Sequence, residues 1–123
     1  MNLEVVVYAM GVGRILIGLA PIAAPRLTSK LLRFPEEHDN ASARLMGRYF
    51  GIRDVGLGVL TFHFVGDVAA LRWLFLFQAA TDGADAFATA PLLRDPKTRR
   101  AALACLTFAL GGGSLWLVVR SLL

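Results

Sequence analysis

The stretch Phe50-Gly51-Ile52-Arg53-Asp54-Val55-Gly56-Leu57-Gly58 sets an adjacent arginine and aspartate inside a run of apolar and small residues. It lies at the centre of an apolar block from about Ala43 to Phe64, close to the roughly 20 residues that a helix needs to cross a hydrocarbon core. Within the block Arg44, Gly47, Gly51, Asp54, Gly58 and Thr61 follow helical offsets and so share one face. That face contains the small-xxx-small pair Gly47/Gly51, a pattern by which membrane helices approach one another closely. An apolar helix carrying a charged pair at mid-length and a stripe of glycines reads as a membrane span with a polar inner face.

Three further apolar blocks flank it, at about 3–24, 71–92 and 101–123, and little of the 123-residue chain is left over. The apolar share is 56% and the charged share 18%, where soluble domains run near 45–50% and 25%. The expected fold is all-α: a single domain over 1–123, forming an integral membrane four-helix bundle. A soluble helical bundle fits less well, because the last block has almost no polar face to show to water. The first block lacks a basic leader and has Arg14 at its middle, which makes a poor signal peptide. Pro21 and Pro25 punctuate its end, and a short interfacial helix is expected around Leu27–Phe34, with Asp39 or Asn40 capping the next helix. The short link containing Gly66 and Asp67 predicts an antiparallel hairpin between the second and third spans.

Lysine and arginine bias sets the expected orientation. The loop after the first span carries Arg26, Lys30 and Arg33, and the loop after the third carries Arg94, Lys97, Arg99 and Arg100. The opposite side has almost none. Both termini are therefore expected on the outer side of the plasma (inner) membrane, in a multi-pass protein with its basic loops in the cytoplasm. Trp73 and Trp116, near Arg72 and Arg120, read as interfacial anchors or as lipid-facing bulk.

The charged residues fall at a common depth in the expected spans. Arg14 falls at the middle of the first span, Arg53 and Asp54 at the middle of the second, and Asp82 at the middle of the third with Asp85 a turn away. A charge facing lipid at that depth costs at least about 2.5–3.5 kcal/mol, so these groups are expected to turn inward and pair. Arg14 and Arg53 balance Asp54 and Asp82, leaving Asp85 to be protonated or satisfied by Arg48. Gly11, Arg14, Gly18 and Pro21 share one face of the first span, and Gln78, Asp82, Asp85 and Thr89 one face of the third. Gly111-Gly112-Gly113 and Ser114 give the fourth span a small packing surface, which suits a helix that seals the bundle.

Other function classes find little support. The net charge of +4 comes without the aromatic-basic interleaving of a nucleic-acid binder. Cys105 is alone and forms no internal disulfide. No phosphate-binding glycine loop, metal-type His/Cys spacing or nucleophile elbow is present, so no metal and no cofactor is expected. His63 reads as an interfacial residue and His38 as a solvated one.

Ile15-Leu16-Ile17-Gly18-Leu19 with Ala24-Pro25-Arg26, the Phe50–Gly58 stretch, and Asp82 together resemble a family of small four-helix bacterial membrane proteins known as a domain of unknown function, loosely similar to the DoxX-like group. The resemblance implies a four-helix membrane fold and no established activity, and it singles out Arg53, Asp54 and Asp82.

Together these readings point to a polar site at mid-membrane. Asp82, Asp85 and Asp54 are its candidate catalytic proton donors or acceptors, and Arg14, Arg48, Arg53 and Gln78 its candidate ligand-binding groups. The expected ligand is a hydrophobic, lipid-like small molecule bound from the bilayer, with proton transfer, isomerisation or hydration as the chemistry. Two alternatives stay open: an oligomeric small transporter or channel assembled through the glycine-rich helix faces, and an accessory subunit whose charges only hold its helices together.

Overall fold

A computed structural model describes residues 1–123, and it contains helices and no strands. The long helices are α1 (Leu3–Ala23), α3 (Ala41–His63), α4 (Val68–Thr89) and α5 (Arg99–Leu122), with a short α2 (Pro25–Leu31) after α1. Single 3-10 turns at Glu36–His38 and Ala90–Arg94 complete the chain. Each long helix overlaps an expected span but begins or ends earlier, because the helices start in polar caps that a hydropathy reading leaves out. Asn40 Oδ1 accepts from the Ala43 amide at 2.9 Å, and Asp67 Oδ1 accepts from the Ala70 amide at 3.0 Å, each satisfying a backbone donor with no partner inside the helix. α1 runs straight through Pro21 and ends instead at Ala24, after which Pro25 opens α2. Proline suits that first position, where a missing N–H costs nothing. At the far end of α4 the chain tightens at Pro91, which has no amide to continue the α-helical ladder.

The helices associate as two close pairs, α1 with α3 and α4 with α5. In the first pair Gly11 lies against Thr61 and Phe62, Gly18 against Gly51, and Gly47 against Pro21, so the helices run antiparallel. In the second, Asp82 lies beside Gly112 and Gly113, Phe75 packs on Trp116 at 4.9 Å, and Arg120 Nε donates to the Arg72 carbonyl at 2.9 Å, again antiparallel. The expected hairpin between the second and third spans is corrected: α3 and α4 follow one another, but contacts between them are sparse. The physical reason is the glycine stripe of α3, which faces α1 and lets the two backbones touch. Gly51 and Gly58 are thereby covered by Gly18 and Ile15.

A small apolar cluster of Val7, Leu71, Phe75, Trp116 and Val119 joins α1 to the α4–α5 pair. Trp116 is only 4% exposed. It is core, neither interfacial anchor nor lipid-facing bulk, whereas Trp73 is 73% exposed. Two helices, α1 and α5, are long and apolar enough to cross a membrane, each with a mean hydropathy of 1.9. α3 and α4 fall short of the same mark.

Gly18 is one of the tight points of the α1–α3 pair. A Cβ there would stand 2.6 Å from the Gly51 carbonyl oxygen and 2.8 Å from the Val55 nitrogen, both backbone atoms that cannot swing aside. Gly18→Ala is expected to lower stability in detergent by about 1–3 kcal/mol, the usual cost of overpacking. Gly13→Ala meets nothing within 4 Å and is expected to be neutral or stabilising, since alanine is the better helix former. Thermal unfolding of the two variants side by side checks the difference. Equal melting of both would contradict the close crossing.

Candidate functional site

Five ionisable side chains from three helices form one unbranched chain: Asp82, Arg14, Asp54, Arg53, Asp85. Arg14 Nη1 reaches Asp82 Oδ1 at 2.8 Å, and Arg14 Nη2 reaches Asp54 Oδ1 at 3.4 Å. Arg53 Nη2 donates to the same Asp54 oxygen at 3.2 Å. It also makes a two-pronged contact with Asp85, Nη1 to Oδ1 at 2.9 Å and Nη2 to Oδ2 at 2.6 Å. Carboxylates and guanidiniums alternate along the whole length, so every adjacent pair attracts. Forked Arg–carboxylate contacts like that of Arg53 and Asp85 are among the strongest of such pairs.

Helical geometry explains the assembly. Asp54 follows Gly51 by three residues on α3, and Arg14 precedes Gly18 by four on α1, so the glycine crossing brings the two charged side chains level. The Asp54 Cβ stands 3.0 Å from where a Cβ on Gly18 would be. On α4, Asp82 and Asp85 lie three residues apart on one face. α5 contributes the absence of side chains: Gly112 and Gly113 lie 3.2 and 3.4 Å, measured from a Cβ that neither has, from Asp82 Oδ2 and Cβ. A larger residue at either position would press on the carboxylate.

Exposure changes along the chain. The Arg14, Asp54 and Asp82 side chains are 6%, 4% and 9% exposed, while those of Arg53 and Asp85 are 37% and 29% exposed. The inner end is closed by Trp116, whose ring lies 5.7 Å from the Arg14 guanidinium carbon, within range of a cation–π contact. The outer end opens toward the sparse α3–α4 side, where Arg53 stands 4.9 Å over the Phe50 ring. Beside the chain, fully buried Gln78 donates from Nε2 to Thr61 Oγ1 at 3.0 Å, and Thr61 donates to the Leu57 carbonyl at 2.9 Å. Arg14 Nε and Gln78 Oε1 are buried without a protein partner.

Six of the seven singled-out residues therefore meet: Asp54, Asp82, Asp85, Arg14 and Arg53 in the chain, with Gln78 one turn from Asp82. Arg48 does not join them. It is exposed on α3 and makes no ion pair, one and a half turns from Arg53, and Asp85 is satisfied by Arg53 instead. The expected neutral set of four is corrected to an alternating set of five, in which Asp54 is shared between both arginines. Trp116 and Gly112 escaped sequence reasoning. A tryptophan near a helix end reads as an anchor, and one glycine of three in a row carries no mark of the carboxylate it faces. No group of three or more His, Cys, Asp or Glu side chains is arranged to hold a metal ion.

The chain belongs to the family described as a domain of unknown function (DUF4267), whose model matches residues 11–123 and so takes in every member of the polar chain. The match does not extend to the DoxX-like group. No curated protein and no solved structure matches the chain.

The exposure gradient predicts a gradient of consequences. Arg14→Met removes the only ion-pair partner of the buried Asp82 carboxyl and leaves Asp54 with Arg53 alone, and is expected to cost about 3–5 kcal/mol. Asp85→Asn breaks a partly solvated pair and leaves Arg53 with Asp54, and is expected to cost less than about 1 kcal/mol in detergent. Denaturant unfolding of both variants checks the order, and the reverse order would contradict the burial described.

Proposed function

We propose that this protein is a multi-pass integral membrane protein of the plasma membrane whose Arg/Asp chain binds, or exchanges a proton with, a small lipid-like molecule. In this reading all four long helices cross the bilayer and close into a four-helix bundle, with both termini outside and the two basic loops in the cytoplasm. α3 and α4 are less apolar than α1 and α5 because they carry the polar faces that the bundle encloses.

The surface supports the membrane part of the reading. Phe87 is 85% exposed, and Leu16, Ile52, Phe77 and Phe108 each exceed 60%. Such side chains stand on every long helix, and only 22 of 123 residues are buried. A monomer in water rarely shows apolar patches of that extent, whereas acyl chains cover them at no cost.

The observation that carries the ligand part is the open end of the polar chain. At bilayer depth the partly exposed Arg53–Asp85 pair would face hydrocarbon, where polar groups are costly unless something satisfies them. A small amphiphile sliding between α3 and α4 brings a polar head to that pair and leaves its tail in the lipid. Three carboxyl groups against two guanidiniums also leave the chain one proton short of neutrality, which suits exchange of a proton with that head. Asp85 and Asp54 are the acids nearest the opening, with Asp82 further in. Arg53 is the group that meets an anionic or carbonyl head, and Arg14 and Gln78 set the inner wall.

A second reading has one observation in its favour: the tie from Arg14 to both Asp54 and Asp82 is closed to solvent and joins three helices, as purely structural glue would. The two readings separate at Asp85 and Arg53, which are not needed for that tie. Native mass spectrometry and solvent extraction of the purified protein are expected to find an apolar molecule bound to the wild type. Asp85→Asn and Arg53→Gln are expected to remain folded by melting temperature and to lose it. Wild type with nothing bound, or variants that retain the molecule unchanged, would leave the structural reading standing.

Topology has its own check. With Cys105→Ala as background, Ser29→Cys and Lys97→Cys are expected to react with an impermeant maleimide only from the cytoplasmic side, and Gly66→Cys only from outside. Reaction of all three from one side would sink the four-span arrangement.

A further inference from the structure

A groove of about 530 Å³ lies away from the polar chain, where α1 breaks into α2 and the start of α3 passes beneath. Its walls are Ala24, Pro25, Arg26, Leu27, Lys30 and Arg44. We propose that this groove seats the phosphate headgroup of an anionic phospholipid, with the acyl chains lying along the exposed leucines of α2. The proposal takes from the functional reading only that the chain sits in a membrane, and it is independent of the Arg53–Asp85 site.

Charge complementarity is the first support. Of the three cations on the groove, Arg44 is already held: its Nε and Nη2 donate to the two oxygens of Asp39 at 2.8 and 3.0 Å. Those hydrogen bonds keep the Asp39 carboxyl below its ordinary pKa, against a smaller opposing effect of burial. Asp39 therefore stays ionised at neutral pH and bound to Arg44. Arg26 reaches Asp39 only at 3.9 Å with a side chain 86% exposed, and exposed Lys30 has no ion-pair partner. Two positive charges on one wall are thus left to attract an anion.

The shape of α2 is the second support. Arg26 and Lys30 lie one turn apart, and Leu27 and Leu31, 55% and 69% exposed, form the adjacent stripe. Leucines reaching down beside cations reaching outward is the arrangement of a helix lying in the headgroup plane. Arg33 follows the end of this helix at φ 67°, the left-handed conformation that usually belongs to glycine at a helix end. The Phe34 amide donates to the Ser29 carbonyl and the Arg33 amide to that of Lys30, both at 3.1 Å, closing the helix around that strained residue. Glycine would relieve the strain. An arginine held there keeps a further exposed cation at the end of the short helix, of the kind that anionic headgroups attract.

The test uses full-length protein in mixed micelles with phosphatidylglycerol and phosphatidylcholine in equal amounts, read by native mass spectrometry. Wild type is expected to retain phosphatidylglycerol in preference. Arg26→Gln/Lys30→Gln is expected to lower that retention roughly 30-fold, the combined factor for two basic residues at an anionic surface. Lys97→Gln/Arg100→Gln, which removes the same charge from the other basic loop, is expected to leave it unchanged. Absence of a preference in wild type, equal losses in the two double variants, or displacement of the lipid by millimolar inorganic phosphate would each overturn the inference. Lys30→Glu, an exposed single substitution, repeats the measurement should the double variant melt early. Carbonate extraction of the source membranes reports separately on membrane insertion, so a missing preference in a protein that stays in the membrane pellet sinks this inference alone.

Discussion

The guanidinium of Arg14 is the point on which the arrangement of the helices depends. It donates to Asp82 on α4 and Asp54 on α3, stacks against Trp116 on α5, and is itself carried by α1. All four long helices therefore meet at one side chain. Their other contacts are largely pairwise, α1 on α3 and α4 on α5. Joining the two pairs requires a contact that holds its direction, and a buried charge between two carboxylates supplies it. Breaking such a pair on one side leaves an uncompensated charge in a poorly polarisable interior, which penalises every alternative register of one pair against the other. A hydrophobic contact at the same place would associate the pairs without fixing how they face.

That charge would not fit without the glycines around it. Gly18 and Gly51 bring the α1 and α3 backbones into contact, which places Asp54 within reach of Arg14. On the other side Gly112 and Gly113 let α5 lie flat over Asp82. The same packing leaves α3 and α4 loosely joined although they follow one another in the chain, since α3 has turned its small-residue face to α1. The looseness in turn leaves Arg53 and Asp85 partly uncovered. Tight closure at one end of the polar chain and an opening at the other are thus two results of one distribution of small residues.

The polar groups also set how apolar each helix can be. α1 carries one buried arginine and α5 no charge between Arg100 and Arg120, and both remain apolar enough to cross a membrane. α3 and α4 carry the carboxylates, Arg53 and Gln78, and their mean hydropathy falls accordingly. Hydropathy judges each helix alone, whereas the side chains that lower it here are those that neighbouring helices satisfy.

Much was determined by the sequence alone. The helices and their approximate limits follow from apolar blocks separated by proline and charge, and the meeting of Arg14, Asp54, Asp82, Asp85 and Arg53 follows from periodicity and depth, because a helix converts spacing into face and height. Gln78 was legible for the same reason. Partner choice was not. That Asp85 takes Arg53 and leaves Arg48 outside, that Asp54 is shared, that Trp116 is core, and that α3 prefers α1 to its neighbour α4 all depend on which faces oppose one another across the interior. Periodicity gives each helix a face but not the rotation and pairing of separate helices, and only the packing of glycine against backbone decided those.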